Sequence, residues 1–237
     1  MGEINSENAR LGPGRFPVAD SEVVGMDHKD CPTIFPSQGK VTYGERCTIL
    51  GQKGVVVWFT GLSGAGKTTI SEEIEMRLNR NNRAVYRLDG DNVRFGINAD
   101  LGFSIKDRAE NIRRVAHIAS MFRDAGIIVL CAFVSPTNKM RATAREIVGG
   151  QHFIEVYVEA DLQTCAKRDP KGLYRGNVPV LTGVSSPYEV PESPDIILNT
   201  AVLSVNECVD LVIQRIIQAV NEPPANEDPQ KTNDDDQ

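Results

Sequence analysis

Long apolar stretches are missing from this sequence of 237 residues. No segment approaches the ~18 uninterrupted apolar residues of a membrane-spanning helix, which excludes an integral membrane protein and predicts no membrane partner. The hydrophobic and charged fractions, 41% and 24%, are close to the averages of soluble proteins and exclude a wholly disordered chain. At ~100–200 residues per domain, the length predicts one domain with extensions or two very small domains.

Cysteine motifs are also lacking. No Cys-x-x-Cys pair occurs, and the cysteines are widely spaced, at Cys31, Cys47, Cys131, Cys165 and Cys208. This pattern disfavours a zinc site or a disulfide framework and indicates a reduced, intracellular chain. The N-terminus lacks a basic segment followed by an apolar run, so we expect no secretory signal and a cytoplasmic location.

An excess of positive charge is absent as well. The formal net charge of −6 argues against a general nucleic-acid-binding surface, and we expect no nucleic-acid partner. The charge is unevenly distributed, because residues 1–46 carry −2, residues 221–237 carry −5 and residues 47–220 carry +1. We therefore predict an irregular N-terminal arm over 1–46, a folded domain over 47–220 and a disordered acidic tail over 221–237.

Strand and helix patterns alternate through the middle of the chain. Val55–Thr60 is a wholly apolar run, typical of a strand buried on both faces of a parallel sheet. Further strands are predicted over 83–88, 127–134, 153–158 and 195–199, and helices over 67–81, 106–125, 138–148, 161–168 and 204–220. This alternation predicts an α/β fold, a parallel sheet of about five strands flanked by helices. Residues 169–194, rich in Pro and Gly, predict a loop or lid.

The segment after the first predicted strand matches G-x-x-x-x-G-K-[ST], the P-loop pattern. Its glycines allow backbone N–H groups to surround phosphate oxygens, Lys67 can reach the β- and γ-phosphates, and the Thr68 hydroxyl can bind Mg²⁺. A glycine-rich turn that ends in Lys-Thr by chance is the alternative, but the buried strand before it and the helix after it favour a P-loop NTPase-type sheet. The predicted nucleotide-binding residues are Gly61, Leu62, Ser63, Gly64, Ala65, Gly66, Lys67, Thr68 and Thr69.

An acidic cluster follows the second predicted strand, at the edge of the sheet where ligands bind in such folds. It consists of Asp89, Gly90, Asp91 and Asn92. One carboxylate could accept the proton of an attacking hydroxyl while another orients water on Mg²⁺. An Asp-Gly turn that caps a helix explains the same residues equally well.

Arginines surround this acidic cluster in the sequence. Arg94 and Arg108 indicate a second, anionic substrate, because forked guanidinium groups suit phosphate and sulfate. For Arg113 and Arg114 a solvated helix face is favoured.

Longer motifs carry a resemblance to one family. They are Asp89-Gly-Asp-Asn-Val-Arg-Phe-Gly-Ile-Asn-Ala-Asp-Leu-Gly-Phe-Ser104, Asp107-Arg-Ala-Glu-Asn-Ile-Arg-Arg114, Arg168-Asp-Pro-Lys-Gly-Leu-Tyr174 and Ser186-Pro-Tyr-Glu189. Over about residues 54–200 the chain resembles adenylylsulfate kinase (APS kinase). The resemblance implies an enzyme that uses ATP and Mg²⁺ to phosphorylate the 3′-hydroxyl of adenosine 5′-phosphosulfate (APS), giving 3′-phosphoadenosine 5′-phosphosulfate (PAPS) and ADP in sulfate activation. It also implies a homodimer.

The same resemblance implies catalytic and ATP-binding roles. Asp89 would be the base or the group that orients the hydroxyl, Lys67 would contact the transferred phosphoryl group, and Arg168 would lie near the ATP base. The position of Ser135 is linked in the family to a phosphoserine intermediate. We expect no such intermediate, because direct in-line transfer needs only positioning and charge stabilisation.

The resemblance further implies a substrate-binding set. Arg94, Arg108 and Asn111 would hold the phosphosulfate and the ribose. Phe103 would stack on the adenine, although the residues alone favour an ordinary core aromatic, and Lys171 would close over the substrates from the lid. The whole implied set is Asp89, Gly90, Asp91, Asn92, Arg94, Phe103, Arg108, Asn111, Val134, Ser135, Lys171, Leu181 and Thr182.

The chain departs from the family pattern in the lid. The segment between Tyr174 and Thr182 is shorter by several residues, and Leu181 stands where the family has a Phe that would supply a second aromatic face for the adenine. Loss of that face predicts ~10–100-fold weaker substrate binding. Thr137 and Asn138 replace a Tyr and an Arg of the family.

Two rival functions stay open on the sequence. The first is a nucleotide-binding regulatory relative that has weak or lost transfer activity because of the shortened lid. The second is a P-loop kinase for another small alcohol, which the set of Arg94, Arg108 and Asn111 disfavours.

Overall fold

The computed structural model describes residues 39–176 and 181–221. Most of the predicted arm (1–38, with Cys31), part of the predicted lid (177–180) and nearly all of the predicted tail (222–237) lie outside the described residues. The arm and the tail therefore stay predictions. In the described ranges, no helix combines the length and the apolar character that crossing a membrane requires.

A five-stranded parallel sheet forms the centre of the described chain. Its strands lie in the order β2-β3-β1-β4-β5. Strands β1 and β3 are buried along their whole length, because helices cover both faces of the sheet. The bounds are β1 Val55–Thr60, β2 Val85–Asp89, β3 Ile128–Ala132, β4 Phe153–Glu159 and β5 Ile196–Asn199. The predicted parallel α/β sheet of about five strands is thus confirmed.

Helices pack on both faces of the sheet in two apolar clusters. Val55, Val57 and Phe59 of β1 point to one face and Val56 and Trp58 to the other, as the period-two geometry of a strand requires. Helices α2 and α7 contact each other on the first face, and α4 and α5 do so on the second. The helices are α1 Tyr43–Leu50, α2 Lys67–Arg80, α3 Gly90–Phe95, α4 Ile105–Asp124, α5 Asn138–Val148, α6 Leu162–Arg168 and α7 Val205–Asn221, with a 3₁₀ turn at Gly150–His152.

Helix α1 was not predicted, and it begins inside the segment predicted to be an irregular arm, so that prediction is wrong for residues 43–46. The helix has no buried residue, so none of its faces packs into the core. A capping box between Thr42 and Glu45 starts it. The Tyr43 hydroxyl lies 3.1 Å from the Gly54 nitrogen, and Arg46 pairs with Asp124 at 2.9 Å. The capping box and these tertiary contacts, rather than an apolar face packed on the core, therefore stabilise α1.

Gly54 sits where the backbone of α4 approaches the start of β1. A Cβ at this position would lie 2.1 Å from the Arg123 carbonyl oxygen, so Gly54→Ala must shift backbone. We predict that this change lowers the free energy of unfolding by ~1–3 kcal/mol, measured by urea denaturation. Gly150→Ala is the matched control, because nothing lies within 4 Å of its Cβ, and it should change stability by less than ~0.5 kcal/mol. Equal losses in the two variants would contradict this account.

Candidate active site

A cavity of about 1060 Å³ opens at the carboxyl ends of the parallel strands. Ligands bind at this edge in open α/β sheets, because the loops that leave the strands converge there. The loop after β1, the start of α3 after β2 and the segment after β3 all line the cavity. Its volume is at the upper end of single-ligand pockets, ~300–1,000 Å³, so it has room for a large or a second ligand.

The loop after β1 folds as a P-loop that only glycine can build. Gly61 and Gly64 have φ values of 143° and 81°. A Cβ on Gly61 would lie 2.4 Å from the Val158 carbonyl oxygen, and one on Gly64 would lie 2.9 Å from that of Cys165. The loop leads directly into α2, whose first residue is Lys67. The positive end of the helix dipole therefore faces the cavity, which suits an anion.

Lys67 is a buried cation at the base of the cavity. Its ammonium donates hydrogen bonds to the carbonyl oxygens of Gly61 (2.9 Å) and Leu62 (2.8 Å). Burial, with the nearby charge of Lys171 as a smaller cause, lowers the pKa of Lys67 to about 8. A phosphate bound in the P-loop would therefore stabilise the charged form of Lys67.

The sequence left two roles open for Asp89, a helix cap and an active-site carboxylate, and its position in the structure is compatible with both. Its Oδ1 accepts a hydrogen bond from the Asp91 backbone nitrogen at 3.1 Å, which caps α3. Its Oδ2 accepts from the Thr68 hydroxyl and from Arg87, each at 3.1 Å, and the residue lines the cavity. The helix cap and the active-site position therefore coincide in one carboxylate.

Other members of the acidic cluster divide between the cavity and the surface. Gly90 and Asp91 line the cavity, and Asp91 forms an ion pair with Lys171 across it. Asn92 lies exposed on α3 and is not among the residues that line the cavity. Its predicted contact with a substrate has no support in this geometry.

Two arginines and an aromatic ring form the opposite end of the cavity. The guanidinium carbons of Arg94 and Arg108 lie 4.5 and 5.9 Å from the centre of the Phe103 ring. Phe103 is 59% exposed, so the alternative of an ordinary core aromatic is wrong. Arg94 donates to the carbonyl oxygen of Gly102 (2.8 Å), and Arg108 donates to the hydroxyl of Thr182 (2.6 Å). Partial burial lowers the pKa of both arginines, although they stay charged.

Asn111 lines the same end of the cavity and is oriented by a residue that the sequence analysis missed. Asn98 is fully buried, and its Nδ2 donates to the Asn111 Oδ1 at 3.0 Å. The Nδ2 donor of Asn111 is thereby left for a ligand. No local pattern marks Asn98, because its partner lies 13 residues away on α4.

The segment after β3 presents Val134 and Ser135 to the cavity. Ser135 has a φ of 38°, in the left-handed region that non-glycine residues rarely adopt. It is buried, and its Oγ accepts a hydrogen bond from the Trp58 Nε1 at 3.1 Å. Leu181, only 9% exposed, lines the cavity beside Thr182.

Arg168 marks the remaining end of the cavity. It donates to the Thr200 hydroxyl (3.0 Å) and to the Thr200 carbonyl oxygen (2.7 Å). Apolar Leu203 and Val205 line this end together with Pro170, a surface suited to a base. By contrast, Arg113 and Arg114, for which the sequence favoured a solvated helix face, do not line the cavity. Their guanidinium groups pair with Glu110 instead.

Two replaced family positions also lie outside the cavity lining. The Thr137 hydroxyl accepts from the Met140 nitrogen and caps α5, and the Asn138 backbone nitrogen donates to Glu189. Thr137 thus acts in local structure, and Asn138 joins the start of α5 to Glu189 in the predicted lid.

Comparison with known proteins identifies the family. The family model described as adenylylsulphate kinase matches residues 53–199, more than half of the chain. The chain belongs to the adenylylsulphate kinase family. An adenylyl-sulfate kinase of Clostridium kluyveri is 47% identical over 178 residues, which are 73% of this chain and 89% of the relative. One of Marinobacter nauticus is 48% identical over 81% of this chain and 94% of its own length.

Solved structures of the family agree with the fold. The APS kinase of Mycobacterium tuberculosis, in complex with AMPPNP and APS, is 44% identical with a TM-score of 0.67, covering 70% of this chain and 98% of that one. A hexameric APS kinase from Thiobacillus denitrificans is 30% identical with a TM-score of 0.54, covering 70% of this chain and 29% of that one. The resemblance and the P-loop kinase fold predicted from the sequence are confirmed. This adenylylsulphate kinase family member is an ATP-dependent kinase.

The lowered pKa of Lys67 makes nucleotide affinity depend on pH. Below about 8 the ammonium is charged, and above it the group becomes neutral and loses its attraction for phosphate. We predict that the affinity for ATP, measured with a fluorescent analogue, falls as pH rises through about 8. Lys67→Met should bind more weakly and show no such fall. A variant that kept the same decline would show that another group titrates.

Proposed function

We propose that the cavity binds MgATP at its P-loop end and APS at its Arg94–Arg108 end, and that it transfers the γ-phosphoryl group to the 3′-hydroxyl of APS. The products are PAPS and ADP. One observation carries the proposal: Asp89 contacts Thr68 of the P-loop and also begins the helix that bears Arg94. A single carboxylate thus joins the two cationic ends of the cavity. The M. tuberculosis relative, solved with AMPPNP and APS, supports two nucleotides in this arrangement.

The reaction would proceed by direct in-line transfer. The 3′-oxygen of APS forms a bond to the γ-phosphorus as the bond to the bridging oxygen of ADP breaks. Asp89 orients the hydroxyl and receives its proton, and Lys67 stabilises the charge that develops on the phosphoryl oxygens. The buried position of both groups strengthens these interactions, because little water competes for them.

The acceptor end would recognise APS by charge and by stacking. Arg94 and Arg108 offer forked donors to the phosphosulfate, and the exposed Phe103 ring between them offers a face to the adenine. Asn111 donates from its oriented amide, and Lys171 closes the cavity from the segment after α6.

Ser135 would shape the acceptor end without forming a covalent intermediate. Its Oγ is already engaged by Trp58, and in-line transfer needs no nucleophile from the protein. Arg168 would contact the base of ATP, supported by its place beside the apolar end of the cavity.

Oxygen ligands for Mg²⁺ are available beside the P-loop. The Thr68 hydroxyl is the kind of hard donor that Mg²⁺ prefers, and it lies 3.1 Å from the Asp89 carboxylate. Thr68 would hold the ion together with the phosphates of ATP, and Asp89 is left to receive the proton of the acceptor hydroxyl. When bound, Mg²⁺ neutralises negative charge on the β- and γ-phosphates.

Assembly and location stay predictions. We propose a homodimer from the family resemblance, although the T. denitrificans relative is described as hexameric. A cytoplasmic location is supported by the free thiols of the four cysteines in the described ranges, Cys47, Cys131, Cys165 and Cys208.

The proposed transfer is tested by ADP release that depends on APS. We expect Lys67→Ala and Asp89→Ala each to lower kcat ~10²–10⁴-fold, because each removes a group that acts on the reacting atoms. Arg113→Ala is the control, since that side chain pairs with Glu110 outside the cavity, and it should change kcat less than ~2-fold. If the parent protein released no ADP with APS present, the regulatory relative would become the better proposal.

Leu181 offers a second test, at the acceptor end. The side chain is buried at the cavity wall, where an aromatic ring could face Phe103 across the adenine. We predict that Leu181→Phe lowers the KM for APS ~10–100-fold, as expected for one added stacking face, with kcat and the KM for ATP nearly unchanged. Weaker APS binding in this variant would show that the wall has no room for the ring.

A further inference from the structure

Arg141 is a buried cation that does not line the cavity. It lies on α5, is 2% exposed and forms an ion pair with Glu155 of β4, with 3.0 Å between Nε and Oε1. Arg145 pairs with the other oxygen of the Glu155 carboxylate, with 3.4 Å between NH2 and Oε2. The free energy needed to remove two opposite charges from water can exceed the free energy gained when they attract each other. A buried ion pair is therefore weak evidence for a purely stabilising role.

The guanidinium of Arg141 joins three segments that are distant in the sequence. Its NH1 donates to the Ser135 carbonyl oxygen at 2.7 Å, and its NH2 donates to the Glu189 carbonyl oxygen at 2.7 Å. It also lies 5.7 Å from the centre of the Tyr188 ring. Arg141 therefore connects the acceptor wall after β3, the residues that follow the lid and strand β4.

The first of these contacts falls on a strained residue. A left-handed backbone at Ser135 persists only where surrounding contacts over-determine it. The Ser135 carbonyl oxygen is held by Arg141, and its Oγ is held by Trp58. In this conformation Val134 and Ser135 line the cavity.

The second contact anchors the end of the lid against the same wall. The Glu189 nitrogen donates to the Pro136 carbonyl oxygen at 2.8 Å. The Tyr188 hydroxyl lies 3.0 Å from the Thr60 Oγ, which donates to the Val134 carbonyl oxygen at 2.7 Å. Tyr188 and Glu189 follow shortly after Leu181 and Thr182, which form the opposite wall of the acceptor end.

We propose that Arg141 is a positioning residue for the acceptor end. By holding the Ser135 turn and the Tyr188–Glu189 anchor together, it sets the separation of the two walls between which the acceptor binds. Within the described residues, the hydrogen bonds and the ion pair of Arg141 go to Ser135, Asn138, Glu189 and Glu155, none of which belongs to the P-loop, so donor binding should not depend on it. The inference rests on the proposed function, because it takes APS as the acceptor.

The test compares Arg141→Gln with Arg145→Gln as a matched control. Arg145 shares the Glu155 carboxylate but contacts neither Ser135 nor Glu189. We expect Arg141→Gln to raise the KM for APS and the calorimetric Kd for APS by roughly tenfold or more, with the KM for MgATP within about twofold. Arg145→Gln should leave both constants within about twofold, and Arg141→Lys should be intermediate because it keeps the charge but not the fork.

Two further variants keep the proposal testable if Arg141→Gln alone fails to fold. The double variant Arg141→Gln/Glu155→Gln removes both buried charges and should show the same selective loss of APS affinity. In a Ser135→Gly background, where the left-handed backbone is no longer strained, Arg141→Gln should weaken APS binding less than in the parent. Equal increases in the constants for APS and ATP, a fall in kcat alone, or an undiminished effect in the glycine background would each overturn the proposal. Calorimetric binding of APS needs no turnover, so it separates failure of this inference from failure of the kinase proposal.

Discussion

The site depends above all on cations that form no ion pair with the described carboxylates. Within the described ranges, Lys67, Arg94 and Arg168 form no ion pair, and each donates instead to carbonyl or hydroxyl oxygens. Elsewhere on the domain, arginines such as Arg77 and Arg114 pair with acids. The cavity therefore keeps its charge for anionic ligands, at a cost that appears in the lowered pKa of Lys67. The overall charge of −6 conceals this concentration.

The parallel sheet is what allows the charges to meet. Strands β1, β2 and β3 end at the same edge, and they deliver the P-loop, Asp89 and the Ser135 turn in that order. An antiparallel arrangement would send alternate strand ends to opposite edges. Both faces of the sheet are buried, and on one of them Trp58 stacks with Phe133 and Phe153, so this edge rests on close-packed side chains. Rigid scaffolding of this kind is required for in-line transfer, because small displacements of the reacting atoms are costly.

Local patterns in the sequence were sufficient for most of the architecture and for the P-loop. Helix α5 and the capping of α6 by Asp161 follow the prediction, because apolar spacing and caps are local signals. Helix α1 was not predicted, since it buries no side chain, and α3 was foreseen only as the alternative in which Asp89 caps a short helix. Residues such as Asn98 and Arg141 act through partners far away in the chain, so only the fold reveals them. The sequence also could not predict that Asn92 lies outside the cavity, because some residues of such an acidic turn face the cavity and others face solvent.

In the proposed reaction, this cavity transfers a phosphoryl group to the 3′-hydroxyl of the nucleotide held by Arg94, Arg108 and Phe103. The most direct measurement is ³¹P NMR of the product formed from ATP and APS, with the coupling of the new phosphomonoester to the ribose protons resolved. We predict one new resonance coupled to H3′, with the phosphosulfate signal preserved. A resonance coupled to H2′, or release of inorganic phosphate with APS unchanged, would contradict it.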